Sequence, residues 1–147
     1  MKLLIINGVN MNMLGVREPD KYGSMTLKDL EKELFAYSFE LGIDIETYQS
    51  NFEGEIVEKI HSAVKKFDGI IINAGAYTHT SIAIRDAISA VNIPTAEVHM
   101  TNIHAREPFR HESYIAPVSI GQISGFGVES YKLAMSALKN IISETLQ

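Results

Sequence analysis

Leu3-Leu4-Ile5-Ile6-Asn7-Gly8 is the stretch on which the fold turns. Four apolar residues without alternation, ending in a β-branched pair and followed by the turn signals Asn-Gly, read as a strand buried on both faces. Strands covered on both sides belong to parallel sheets with helical crossovers, so strand and helix should alternate along the chain. Apolar blocks at residues 43–48, 69–73, 93–99 and 118–123 repeat the strand reading, separated by segments of helical period or by loops. From Thr26 the apolar positions Leu27, Leu30, Leu34, Tyr37 and Leu41 keep a three-to-four spacing, with Thr26 suited to cap the helix and Gly42 to end it. Ile56, Ile60, Ala63, Val64 and Phe67 mark a second helix, residues 82–91 a third, and Ala134, Ala137, Leu138, Ile141 and Leu146 a last one. The expected fold is α/β: one flavodoxin-like domain over residues 1–147, a doubly wound five-stranded parallel sheet of order 2-1-3-4-5 with helices on both faces.

The chain has 147 residues, no cysteine and a formal net charge of -5 at pH 7. That length supports a full core without disulfide or metal staples. A disulfide framework, a thiolate zinc site, an iron–sulfur cluster and a cysteine nucleophile all need a thiol the chain lacks. The first apolar run is far shorter than the roughly 20 residues that span a bilayer, and no signal-peptide pattern precedes it; a cytoplasmic protein without a membrane partner is expected. Nucleic acid is not an expected partner either, since the net charge repels phosphate and the four arginines form no basic stripe.

Ligands of doubly wound sheets bind beyond the carboxyl ends of the strands, near the switch point between the first and third. Polar residues collect at those ends: Asn7-Gly8-Val9-Asn10-Met11-Asn12 after the first strand, Asn73-Ala74-Gly75-Ala76-Tyr77-Thr78-His79 after the third, Glu97-Val98-His99-Met100-Thr101-Asn102 at the fourth. Glu97 and His99, two apart on a strand, point to one face, where a carboxylate can fix an imidazole's tautomer and favour the charged form a general acid needs. Alone, such a pair is more often a structural ion pair. Three polar clusters converging on one sheet edge reverse that weighting. The connection over residues 14–23, Leu14-Gly15-Val16-Arg17-Glu18-Pro19-Asp20-Lys21-Tyr22-Gly23, is too long for an ordinary βα turn and is bracketed by glycines suited to hinging, as an active-site lid would be. His104, Arg106, Arg110 and His111 form a dense cationic stretch that, beside a pocket, can hold a carboxylate or favour ionisation of a phenol.

These residues resemble the type II 3-dehydroquinate dehydratases, over essentially the whole chain and in the same order. Four blocks carry the resemblance: residues 6–15 with Arg17-Glu18-Pro19 and Tyr22-Gly23; residues 73–81; Arg85-Asp86-Ala87; and Glu97-Val98-His99 running through Asn102-Ile103-His104-Ala105-Arg106-Glu107. Val9 stands where the family usually has proline, Met11 and Met13 where leucines are common, and Thr101 where serine is more usual. The resemblance implies conversion of 3-dehydroquinate to 3-dehydroshikimate in the shikimate pathway, through an enolate, with neither a metal nor any other cofactor. It implies Tyr22 as the base, Arg17 and Arg106 as the positive charge that favours phenolate and enolate, and His99 as the general acid oriented by Glu97. Asn10 and Asn73 would position the acid and a water or substrate oxygen. Met100 and Thr101 through their backbone N–H groups, with Arg110, would hold the substrate carboxylate and hydroxyls; His79 and Asp86 would complete the pocket, the aspartate at a subunit contact. A homo-oligomer is implied as well, typically trimers gathered into a dodecamer.

Three other mechanisms or functions compete. A Schiff-base dehydratase needs a desolvated lysine at the strand mouths, whereas the lysines lie at Lys2, in or beside helical segments, or in the lid at Lys21. A flavodoxin-like nucleotide or flavin module would share the fold, but no G-x-G-x-x-G or Walker-type run follows the first strand. A pure assembly protein would leave the polar strand ends without a purpose.

Overall fold

Leu3, Leu4, Ile5 and Ile6 are all fully buried, as a strand covered on both faces requires. They form the centre of β1 (Lys2–Asn7), followed by β2 (Asp44–Gln49), β3 (Gly69–Asn73), β4 (Thr95–His99) and β5 (Gly121–Ser124). The helices are α1 (Pro19–Tyr22), α2 (Leu27–Leu41), α3 (Glu53–Ser62), α4 (Ile82–Val91) and α5 (Val128–Thr145). This computed structural model describes residues 1–16 and 19–146, without the side chains of Lys21 and Tyr22. The sheet order is β2-β1-β3-β4-β5 with every pairing parallel, the flavodoxin-like order expected from the strand–helix alternation.

Strand alternation divides the core in two. Leu3, Ile5, Ile71, Ala96 and Val98 face one side and pack with Leu30 and Leu34 of α2 and with Tyr131, Ala134, Met135, Leu138 and Ile142 of α5. Leu4, Ile6, Ile70 and Ile72 face the other and pack with Ile56 and Ile60 of α3 and Ile84, Ala87 and Ile88 of α4. Each fully buried Leu or Ile contributes roughly 1.5–3 kcal/mol relative to an exposed one, so the central strands β1 and β3 anchor both layers.

Local chemistry sets the element ends. Thr26 and Asp29 form a reciprocal capping box at the start of α2, each side chain accepting the other's backbone N–H at 3.1 Å, and Gly42 closes the helix at φ 69°. The helix expected to run from Ile56 to Phe67 is displaced: α3 starts at Glu53 and stops at Ser62. Lys65 takes φ 65°, so the chain turns there, and Phe67 reaches the core from the turn while keeping the apolar spacing of a helix. The last helix begins six residues before Ala134, at Val128, and Val118 lies in a short 3-10 turn (Ala116–Val118) ahead of β5. Among the described residues no helix is long and apolar enough to cross a membrane.

Candidate active site

The loops after β1 and β3 meet because two glycines let their backbones touch. Gly8 donates its N–H to the Asn73 carbonyl at 2.7 Å, and a Cβ on Gly8 would stand 2.5 Å from the Ala74 carbonyl oxygen. Gly75, at φ 61°, brings its backbone to where a Cβ would be 2.6 Å from the Val9 carbonyl oxygen. Asn10 takes a left-handed φ of 68°, one of the few residues other than glycine that tolerates it. Its backbone N–H is held at 2.9 Å by Asn51 Oδ1. The switch point between β1 and β3 is thereby a cleft edged by polar loops.

At the end of β4 the Glu97–His99 pair forms as the two-residue spacing predicts. His99 Nε2 bonds Glu97 Oε2, which leaves Nδ1 as the ring nitrogen open to a ligand. Glu97 has no exposed surface, and two more donors close on it: Ser113 Oγ to Oε1 at 2.8 Å and Gln122 Nε2 to Oε2 at 2.8 Å. Burial by itself would raise the carboxyl's pKa, but the bond and charge of His99, with Ser113 and Gln122, outweigh it and hold Glu97 below its ordinary value. A buried carboxylate with three donors stays ionised and keeps the imidazole in one orientation.

Asn10, Asn73, His79, His99, Met100, Thr101, Arg106 and Arg110 all line one cleft. Val9, Met11, Met13 and Leu14 supply its apolar wall. His79 Nδ1–H donates to the Glu112 carbonyl at 2.6 Å. Burial pushes the His79 pKa down, the Glu112 carbonyl opposes this, and the charges of His99 and Arg110 lower it further. A neutral His79 therefore offers Nε2 as an acceptor. Arg106 Nη1 donates to Thr101 Oγ1 at 3.2 Å, and Arg110 Nε to Glu107 Oε2 at 2.7 Å, so both cations are braced at the cleft. Arginines beside backbone N–H groups suit a ligand carboxylate, and an imidazole fixed by a buried carboxylate suits proton transfer.

Not every expected residue gathers there. Asp86 sits exposed on α4, outside the cleft lining. Arg17 and the side chain of Tyr22 lie outside the described residues. What is described of the expected lid has the anticipated brackets, Gly15 at φ 87° and Gly23 at φ 68° on either side of α1.

The site also uses residues that the sequence reading passed over. Ser113 and Gln122 grip Glu97 from a loop and from the edge strand β5. Tyr131 of α5 is fully buried, receives a bond from Asn73 Nδ2 at 2.9 Å and donates to Asn7 Oδ1 at 2.5 Å. Asn7 was legible as a polar residue ending an apolar strand. Tyr131 falls at a core position of a helix, where its hydroxyl gives no periodic signal.

Comparison with known proteins points one way. The family model described as Dehydroquinase class II matches residues 1–139. The 3-dehydroquinate dehydratase of Caldicellulosiruptor bescii is 59% identical over 142 residues, covering 96% of this chain and 98% of that one. That of Geotalea daltonii is 56% identical over 144 residues, covering 98% and 100%. The crystal structure of type II dehydroquinase from Butyrivibrio crossotus superposes with a TM-score of 0.93 at 47% identity, covering 95% of this chain and 97% of that one.

Proposed function

The chain belongs to the class II dehydroquinase family, and from that premise we propose that it is a 3-dehydroquinate dehydratase that works through an enolate. The observation that carries the reading is the Glu97–His99 pair, buried at the end of β4 and opening into a cleft lined by Asn10, Asn73 and two arginines.

The substrate is a cyclic ketone whose carbon beside the carbonyl carries the proton to be lost and whose next carbon carries the hydroxyl to be expelled. Tyr22, assigned by its match to the family position, takes that proton as phenolate. An unperturbed phenol titrates near pH ~10, so Arg17 and Arg106 are assigned the positive charge that favours phenolate and then enolate. His99, charged and held by Glu97, gives its proton to the departing hydroxyl, and water leaves. The Tyr22 phenol and the neutral imidazole return to their starting states by exchange with solvent, so protons balance over the cycle. Met100 and Thr101 N–H groups with Arg110 take the substrate carboxylate and hydroxyls, while Asn73 and His79 take further hydroxyls. The likeness also supports a soluble cytoplasmic enzyme of the shikimate pathway that assembles from trimers into a dodecamer, with exposed Asp86 at a subunit contact.

The test adds 3-dehydroquinate to chelator-treated protein and follows the ultraviolet absorbance of the conjugated enone. Turnover should persist after chelation and after borohydride treatment in the presence of substrate, and a folded Tyr22→Phe variant should lose nearly all of it. A borohydride-trapped covalent adduct would replace the enolate route with a lysine imine, and near-normal turnover in Tyr22→Phe would remove Tyr22 from the mechanism.

A further inference from the structure

Tyr131 is the largest fully buried side chain among the described residues, and its hydroxyl sits between two asparagines that end adjacent strands. Asn7 and Asn73 are register partners of β1 and β3, so they project to the same face of the sheet, the one that α5 covers. Donor and acceptor counting fixes the direction of every bond. Asn73 Oδ1 accepts the Gly75 N–H at 3.2 Å, so the nitrogen of that amide is the atom that meets the phenol, at 2.9 Å. The phenol has a single proton, and it goes to Asn7 Oδ1 at 2.5 Å. The same Asn73 nitrogen lies 3.6 Å from the Met11 thioether, a weak acceptor. Both amide hydrogens of Asn73 are thus engaged inside the protein, and what it keeps for the cleft is the second lone pair of Oδ1. Burial raises the Tyr131 pKa over the opposing effect of the Asn73 bond, so the phenol remains a donor throughout the working pH range.

We propose that Tyr131 is a positioning residue for the reaction: acting through Asn73, it locks that amide so that the cleft is offered an acceptor oxygen for a substrate hydroxyl and not an amide nitrogen. This rests on the reading of the cleft as the site of 3-dehydroquinate dehydration. A flipped Asn73 would set its nitrogen against the Gly75 N–H, two donors, and its oxygen against a phenol oxygen whose proton is committed to Asn7, so both bonds would be lost. The Gly75 N–H holds the amide from one side, and Tyr131 holds it from the other because its own proton goes to Asn7. Phenylalanine would fill the same volume and leave the amide unconstrained on that side.

The experiment compares kcat and KM for 3-dehydroquinate in the full-length wild type, Tyr131→Phe, Asn73→Ala and the double variant. Tyr131→Phe should lower kcat/KM roughly tenfold, the scale of one misaligned hydrogen bond, and by the same factor across about pH 6–9 because the buried phenol does not titrate there. In the Asn73→Ala background the same substitution should cost nothing more, since a residue acting through Asn73 has nothing left to position. Asn7→Ala, which leaves the tyrosine ring in the core and frees its proton, should reproduce both results and serves where Tyr131→Phe does not fold. Unchanged kinetics in a folded Tyr131→Phe protein, or losses that multiply in full with Asn73→Ala, would overturn the assignment. Absence of turnover in the wild type would instead remove the dehydratase reading itself, and this role with it.

Discussion

At the residue scale the site is a set of titrating groups whose protonation the fold has already chosen. Glu97 is held below its ordinary pKa of 4.5 because His99, Ser113 and Gln122 together outweigh the burial that opposes ionisation. Its contribution to stability is present above that ordinary value and is lost as pH falls through the depressed one. His79 is also depressed, from 6.5, chiefly by burial; the unfolded chain takes up its proton first, so stability starts to fall once pH drops below that value. Urea titrations across pH should therefore show two acid limbs, a shallow one beginning near 6.5 and a second beginning near 4.5. His79→Gln should flatten the first limb, and Glu97→Gln the second. A single limb that neither substitution alters would mean these groups are not linked to folding. The Glu97–His99 pair was legible in two letters of sequence because strand geometry puts alternate residues on one face. Ser113 and Gln122 were not, since they arrive from 16 and 25 residues away.

At the scale of elements, the site depends on how closely β1 and β3 release their loops. The Asn-Gly after β1 was read as a turn signal, but the structure gives its glycine a further purpose, close approach to the Ala74 backbone. Alanine at that position would meet a carbonyl oxygen at 2.5 Å, and because the obstacle is the Ala74 backbone it has little room to yield. Gly8→Ala should cost about 2 kcal/mol or more in urea unfolding, as overpacking against backbone does. It should also lower turnover by parting the Asn10 and Asn73 loops. An unchanged urea midpoint would show that the loops can slide apart freely. Helix ends were legible where a capping pair announced them, as at Thr26 and Gly42. They were misjudged at α3 because Ala63 and Phe67 keep helical spacing while lying in a turn.

At the scale of the whole molecule, β1 and β3 each contribute side chains to both core layers, so neither layer can come apart while the other stays whole. The chain should accordingly unfold as one cooperative unit, with far-ultraviolet circular dichroism and tyrosine fluorescence losing their native signals at a single urea midpoint. Two separated midpoints would speak against a single domain. The alternation of apolar blocks and helical periods determined the five parallel strands and the sheet edge at which the polar residues collect, because periodicity and turn chemistry act over a few neighbouring residues; the order 2-1-3-4-5 was expected only as the simplest doubly wound arrangement. The convergence of Asn73 and His99 on one cleft was also expected from the polar strand ends, but tertiary structure alone decided that they reach it from opposite faces of the sheet. It alone decided that Asp86 stays outside, that Ser113 and Gln122 close on Glu97, and that Tyr131 reaches Asn7 from 124 residues away. Those distances depend on how the sheet twists and where its crossovers land, and no local pattern of residues carries that information.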